Sequence, residues 1–115
     1  MVSIVIVKSQ DEFVAFEFDG HAGYDEIGKD IVCAAVSVLA QTALVSLNEV
    51  AGIQDIIYEV DEAYVYCELP GEIDNHQRHD ANVIFKSLIV GLNGIIEAYP
   101  KHLEYIVEEV ESDDD

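Results

Sequence analysis

The 115-residue sequence predicts an α/β fold of the α+β kind, a two-layer sandwich of about five strands and two main helices. Three observations carry that prediction. Short β-branched runs bounded by turn residues recur along the chain, two long segments repeat apolar residues at helical spacing, and a pair of strands precedes each helix. The element order is β-β-α-β-β-α-β. Periodicity alone leaves the strand order in the sheet open.

"VSIVIVK" at residues 2–8 is apolar on both faces, which suits a strand well inside a sheet. The polar turn "SQD" leads to "EFVAFEF", where Val14, Phe16 and Phe18 alternate with Phe13, Ala15 and Glu17. These two strands should form an antiparallel hairpin. A loop over residues 19–29 then delivers the chain to a long helix over about 30–51, with Gly52 as its C-terminal stop. Val32, Val36, Leu39, Ala43, Leu47 and Val50 repeat at helical spacing, yet Ala34, Ala35, Val38, Ala40, Leu44 and Val45 cover much of the remaining circumference. A helix apolar nearly all round has to be covered on more than one side. One sheet cannot do that, so a second helix or a second subunit is required.

"DIIYEV" and "AYVYCEL", joined by a tight "DE" turn, read as a second hairpin in which Val65, Cys67 and Leu69 face the core. After the break "PGE", a second helix spans residues 75–98, with Ala81, Ile84, Phe85, Leu88, Leu92, Ile95 and Ile96 on one stripe. Pro100 ends it. "HLEYIVEEV" is the fifth strand. Residues 1–110 read as a single domain, and "ESDDD" at 111–115 as an acidic, solvated tail.

Composition excludes several function classes. The 24 acidic residues against five basic ones give a formal net charge of −19. Such a surface repels phosphate backbones and anionic lipid, so neither direct nucleic-acid binding nor membrane-surface binding is expected. It attracts a basic partner. The longest apolar stretch, residues 31–50, is interrupted by Ser37, Gln41, Thr42, Ser46, Asn48 and Glu49, and reads as a buried helix rather than a membrane span. Two cysteines behind a strand-like N-terminus point to free thiols in a reducing, cytoplasmic compartment.

The candidate chemistry lies in "GHAGYDEIGKDIVCAA", where His21 and Cys33 bracket a glycine-punctuated acidic loop. Asp30 reads as an N-cap, which puts Cys33 in the first helical turn, where unpartnered amides favour a thiolate or an oxyanion. Moving a thiol from about 8.5 to about 7 takes roughly 2 kcal/mol, while a helix terminus supplies only about 0.3–1 kcal/mol. A second group must contribute, and His21 is the nearest in sequence. Against this, a cysteine in "DIVCAAV" is most often a small buried hydrophobe, and a histidine after a strand is most often a plain loop residue. Cys67, on its alternating strand, reads as inert packing. His76 and His79 lie three apart in "DNHQRHD", but they fall where a helix begins and lack a second ligand pair, so no metal site is expected. No phosphate-cradling loop is present in the sequence, and no cofactor is implied. Gly91 and Gly94 serve either close packing or nothing specific.

The run "GHAGYDEIGKDIVCAAVS", with the later "GLNGIIEAYPKHLEYIV", resembles the ribosomal-processing cysteine protease family along the whole chain. The resemblance implies a cysteine endopeptidase whose catalytic dyad falls on His21 and Cys33. It also implies a basic substrate, since the family removes a short N-terminal extension from the twenty-seventh large-subunit ribosomal protein, just after a hydrophobic, aromatic-containing segment. In that reading Cys33 is the nucleophile, His21 the base, and amides around Cys33 and Ala34 the oxyanion site. Asp30 orients His21 or caps the helix, and Ser37, one turn beyond Cys33, shapes the site. The loop carrying Gly23, Tyr24 and Gly28 becomes a flap over it. A homodimer is expected. Two alternatives are a non-catalytic acidic protein that docks a basic ribosomal partner, and a cysteine hydrolase acting on another acyl substrate.

Overall fold

The computed structural model describes residues 2–20 and 29–110, with the backbone alone for Lys29 and Asp30. Strands β1 (Val2–Ser9) and β2 (Glu12–Asp19) form the first antiparallel hairpin, and α1 spans Lys29–Glu49. Strands β3 (Ile57–Asp61) and β4 (Tyr64–Glu68) form the second hairpin, followed by α2 (Asn75–Ala98) and β5 (Leu103–Val110). The sheet order is β3-β4-β2-β1-β5, with β1 and β5 parallel and every other pair antiparallel. Burial explains the layout. The apolar β1 lies inside the sheet, while the Glu-rich β5 and the fully exposed β3 form its edges.

Both helices pack on one face of the sheet. Ile4 and Ile6 of β1, Phe16 and Phe18 of β2, Val65 and Cys67 of β4, and the buried stripes of α1 and α2 form one continuous core. By length and composition both helices would also pass for membrane spans, but each turns buried residues into this shared core.

The simple alternation read for the second strand fails at one point. The β1–β2 register shifts between Val7 and Lys8, so that Lys8 faces Phe13 and Val14 is the extra residue of a bulge. Phe13 therefore joins Phe16 on the helix side, where it stacks on Phe85 at 5.2 Å between centroids, with Phe16 edge-on to the same ring at 5.8 Å.

Helix ends follow their sequence signals unevenly. Asp74 caps α2 in a capping box, accepting from the Gln77 amide at 2.7 Å while its own amide donates to the Gln77 side chain at 3.0 Å. Gly52, at φ 71°, turns the chain out of α1, and its amide donates to the Asn48 carbonyl at 3.0 Å. The nearly all-round apolar character of α1 is only partly absorbed. Its α2 side packs tightly, since a Cβ on Gly91 would come within 2.8 Å of Leu39, whereas Gly94 has open space. Its outer flank leaves Ile31, Val38 and Val45 half exposed or more, at 58%, 64% and 50%.

Candidate active site

The start of α1 meets the end of β2 and the β3–β4 turn. The amide of Gly20, just past β2, donates to the Ala63 carbonyl at 2.8 Å, which fixes the strand end against that turn. Ala63 holds the turn with a left-handed φ of 56°. Across from them, Cys33 sits half-buried on the fifth residue of α1.

The thiol occupies space that only a glycine leaves open. A Cβ built on Gly20 would fall 2.5 Å from Cys33 Sγ, and 3.1 Å from both the Ala63 Cβ and the Phe18 ring. Gly20 is itself buried. The bottom of the site is thus packed by Phe18, its wall by Ala63, and the Cys33 thiol rests on a bare backbone. Gly20 and Ala63 are site-forming residues that sequence reasoning missed. Gly20 opens the Gly-His run that carries the family resemblance but was given no role of its own, and nothing marks Ala63.

The chain runs on from Gly20 to His21, which lies outside the described residues, as do Gly23, Tyr24 and Gly28 of the expected flap and the tail at 111–115. Asp30, read as an N-cap, is instead the second residue of α1, and its side chain is likewise outside the described part. This earlier start has a consequence for the amides. Those of Cys33 and Ala34 fall at ladder positions, reaching back four residues to Lys29 and Asp30, so the donors without an intrahelical partner belong to the turn ahead of Cys33. Ala34 itself is exposed. Ser37 stands one turn along, and its hydroxyl accepts a hydrogen bond from Gln41 Nε2 at 2.9 Å. Cys33, Ser37 and Gln41 form a ridge of i, i+4, i+8 spacing leading away from the thiol.

Acidic groups gather at the same end of the sheet. Asp19, Glu59, Asp61, Glu62 and Tyr64 line an open hollow of about 300 Å³. Tyr64 donates to Glu17 at 2.5 Å, and that hydrogen bond to a carboxylate, reinforced by desolvation, raises its pKa from 10.0 to about 12.

The other candidate residues stay apart from this site. Cys67 is fully buried on β4, and burial, with the nearby Glu68 charge, pushes its thiol up to about 12. Neither cysteine forms a disulfide. His76 and His79 both lean on Asp80, at 3.4 and 3.2 Å. Among the described residues, no cluster of three or more His, Cys, Asp or Glu side chains is arranged to hold a metal.

Known proteins resemble the chain over nearly its whole length. A curated relative from Bacillus subtilis (strain 168), the ribosomal processing cysteine protease Prp, is 31% identical over 105 residues, covering 90% of this chain and 94% of the relative. The fold matches a crystal structure from Streptococcus mutans with a TM-score of 0.76 at 24% identity, covering 96% of each chain. It also matches the essential ribosomal processing protease Prp of Staphylococcus aureus in complex with a substrate peptide. There the TM-score is 0.75 at 19% identity, over 94% of this chain and 100% of that one. With the family model for cysteine protease Prp matching residues 1–104, the chain belongs to the cysteine protease Prp family.

Proposed function

We propose that the chain is a cytoplasmic endopeptidase that removes the N-terminal extension of a large-subunit ribosomal protein, with Cys33 as nucleophile and His21 as its base. One observation carries the reading. The Cys33 thiol is seated against Gly20, the residue to which His21 is directly bonded. In the reaction, His21 takes the thiol proton and the thiolate attacks the scissile carbonyl. The oxyanion is held by amides of the first turn of α1. His21 returns the proton to the departing amine, leaving a thioester. A water deprotonated by the same imidazole then hydrolyses the thioester and frees Cys33.

The acidic hollow on the sheet's outer face at this end and the net charge of −19 complement a basic ribosomal substrate. A homodimer accounts for the exposed stripe of Ile31, Val38 and Val45 on α1, and light scattering at micromolar concentration tests it. Incubation with the extended ribosomal protein, followed by intact-mass analysis, tests the activity. Loss of one N-terminal fragment is expected. An unchanged mass leaves a non-catalytic binding protein in its place.

A further inference from the structure

Both helices pack on one side of the sheet, and among the described residues no element packs on the other. Strand register lays that outer face out in rows. One row runs Glu59, Tyr66, Glu17, Val5 and Ile106 from β3 across to β5. The next runs Asp61, Tyr64, Asp19, Ser3 and Glu104. Each tyrosine thus stands between two carboxylates, with strands about 5 Å apart and rows about 7 Å apart. Tyr64 donates to Glu17 at 2.5 Å and Tyr66 to Glu68 at 2.6 Å, which ties rings and carboxylates together.

The described cations lie off this face. Lys8 turns to the helix side, over the Phe13 ring at 4.9 Å, Arg78 and Lys86 are on α2, and Lys101 precedes β5. Ile57 and Ile106, both more than half exposed, add apolar surface among the acids. Carboxylates beside aromatic rings hold an ammonium or guanidinium by ion pairing and by cation–π contact. Like charge disfavours a second copy of the same face, and it repels a phosphate backbone equally. The face also begins where the site ends. Asp19 and Tyr64 are bonded to Gly20 and Ala63, which pack at the Cys33 thiol, yet their own side chains point away from the helix layer.

We propose that the outer face of the sheet docks a Lys- and Arg-rich segment of the substrate's mature body, remote from the scissile bond. The proposal rests on the protease reading for the identity of this occupant. The extension to be removed is N-terminal, so the body follows the scissile bond, and a protein that sits on RNA is basic because it neutralises phosphates. Side chains on one face of an extended segment repeat about every 7 Å, which is the spacing from Glu59 to Asp61 and from Glu17 to Asp19. Basic residues at alternate positions therefore meet successive rows. Held there, the body raises the effective concentration of the junction at the thiol without touching the reacting atoms.

The test compares two triple variants that remove equal charge from different places. Glu17→Gln/Glu59→Gln/Asp61→Asn neutralises the face, and its carboxamide oxygens can still accept from Tyr64 and from the Glu62 amide. Asp11→Asn/Glu72→Gln/Glu97→Gln neutralises exposed positions elsewhere. With the extended ribosomal protein, the first should raise KM about tenfold or more at unchanged kcat, since each exposed ion pair is worth about two- to fivefold. The second should stay within about twofold of wild type. On a short junction peptide without Lys or Arg, all three proteins should be equal. The mature body lacking its extension should bind wild type, less tightly as salt rises from about 50 to about 200 mM, and should bind the first variant more weakly still.

Unchanged melting temperature and unchanged alkylation of Cys33 by iodoacetamide show that the variants are folded. If the first variant melts lower, Glu59→Gln and Asp61→Asn singly, on the fully exposed β3, carry the test at about two- to fivefold each. If the two triple variants lose alike, the effect belongs to net charge and the face is not the docking surface. If neither loses, if the first loses equally on the short peptide, or if wild type cleaves without binding the mature body, docking fails and the protease reading stands. A wild type that binds the body through this face but cleaves nothing overturns the protease reading alone. One that neither binds nor cleaves overturns both.

Discussion

The two cysteines present the same functional group in opposite settings. Cys67 lies on a central stretch of β4, fully buried between Val65 and Leu69, and its thiol is pushed up to about 12. Cys33 lies near the start of a helix, half-buried, with its sulfur set into the gap left by Gly20. Desolvation disfavours the charged form of Cys67, while Cys33 lies half-buried near a helix start. Position in the fold, and not residue type, makes Cys33 the proposed nucleophile and Cys67 a packing atom.

The sharpest way to break that contrast is to remove each sulfur in turn. Cys33→Ala should lower cleavage of the extended ribosomal protein by at least about a thousandfold, as loss of a nucleophile does elsewhere. It should still bind substrate, because only one small side chain is removed from the site. Cys67→Ala should retain turnover, with a modest loss of stability from a small cavity. Equal processing by Cys33→Ala and wild type would end the protease assignment.

A second variant tests the seat of the thiol without touching the thiol. Gly20→Ala places a methyl 2.5 Å from Sγ, closer than side-chain carbons approach, so the sulfur or the strand end must shift. Displacements of this size cost about a hundredfold in rate when they move a reacting atom. The expected result is a loss in kcat of about ten- to a hundredfold at little change in KM. A Gly20→Ala enzyme with normal kcat would show that the contact does not position the nucleophile.

These residues also mark how far sequence reading reaches. The element order, both hairpins and the bounds of α2 were legible, because the capping residues Asp74 and Gln77 and the apolar stripes are local signals. The Val14 bulge was not, since it is a property of pairing with β1 and leaves the residue alternation of β2 looking regular. Strand order and the parallel β1–β5 pair depend on contacts between distant segments and have no local mark. In the site, Cys33 was singled out by its place near a helix start, whereas the roles of Gly20 and Ala63 emerge only when the β3–β4 turn folds back onto β2. The exposed apolar face of β3 was hidden for a similar reason. Tyr58 and Val60 read as ordinary strand residues until the sheet order places them at an edge that α1 does not reach.

Alkylation sharpens the comparison at the level of protonation. Near neutral pH, iodoacetamide should modify Cys33 and leave Cys67 untouched in the folded protein. His21→Ala should slow the reaction of Cys33 about tenfold or more, as expected if the imidazole supplies at least about 1.4 kcal/mol of the roughly 2 kcal/mol that a thiolate needs beyond its ordinary state. Raising the pH should restore much of the rate in that variant, since hydroxide then does the work of the missing base. A His21→Ala protein alkylated at the wild-type rate at pH 7 would detach the histidine from the thiol.

The smallest effect concerns Cys67 and appears only in alkali. In the unfolded chain its thiol titrates near the ordinary value, 9.0, whereas in the fold it holds its proton until about 12. Between those values the folded state binds more protons than the unfolded one, so stability falls as pH rises; below the lower value the group contributes its full share. The slope from one such group is at most about 1.4 kcal/mol per pH unit. Tyr64 and Tyr66, raised from 10.0 to about 12 by hydrogen bonds to Glu17 and Glu68, act in the same direction over the upper part of that window. Both are solvent-facing, so their share is small. Urea midpoints measured at pH 7.5, 9 and 10.5 should decline for wild type. Cys67→Ala should start slightly lower at pH 7.5 and decline less steeply, because the group that resists ionisation is gone while the tyrosines remain. Parallel declines for the two proteins would mean that the Cys67 thiol ionises in the fold as readily as it does in the unfolded chain, and the contrast between the two cysteines would then rest on access alone.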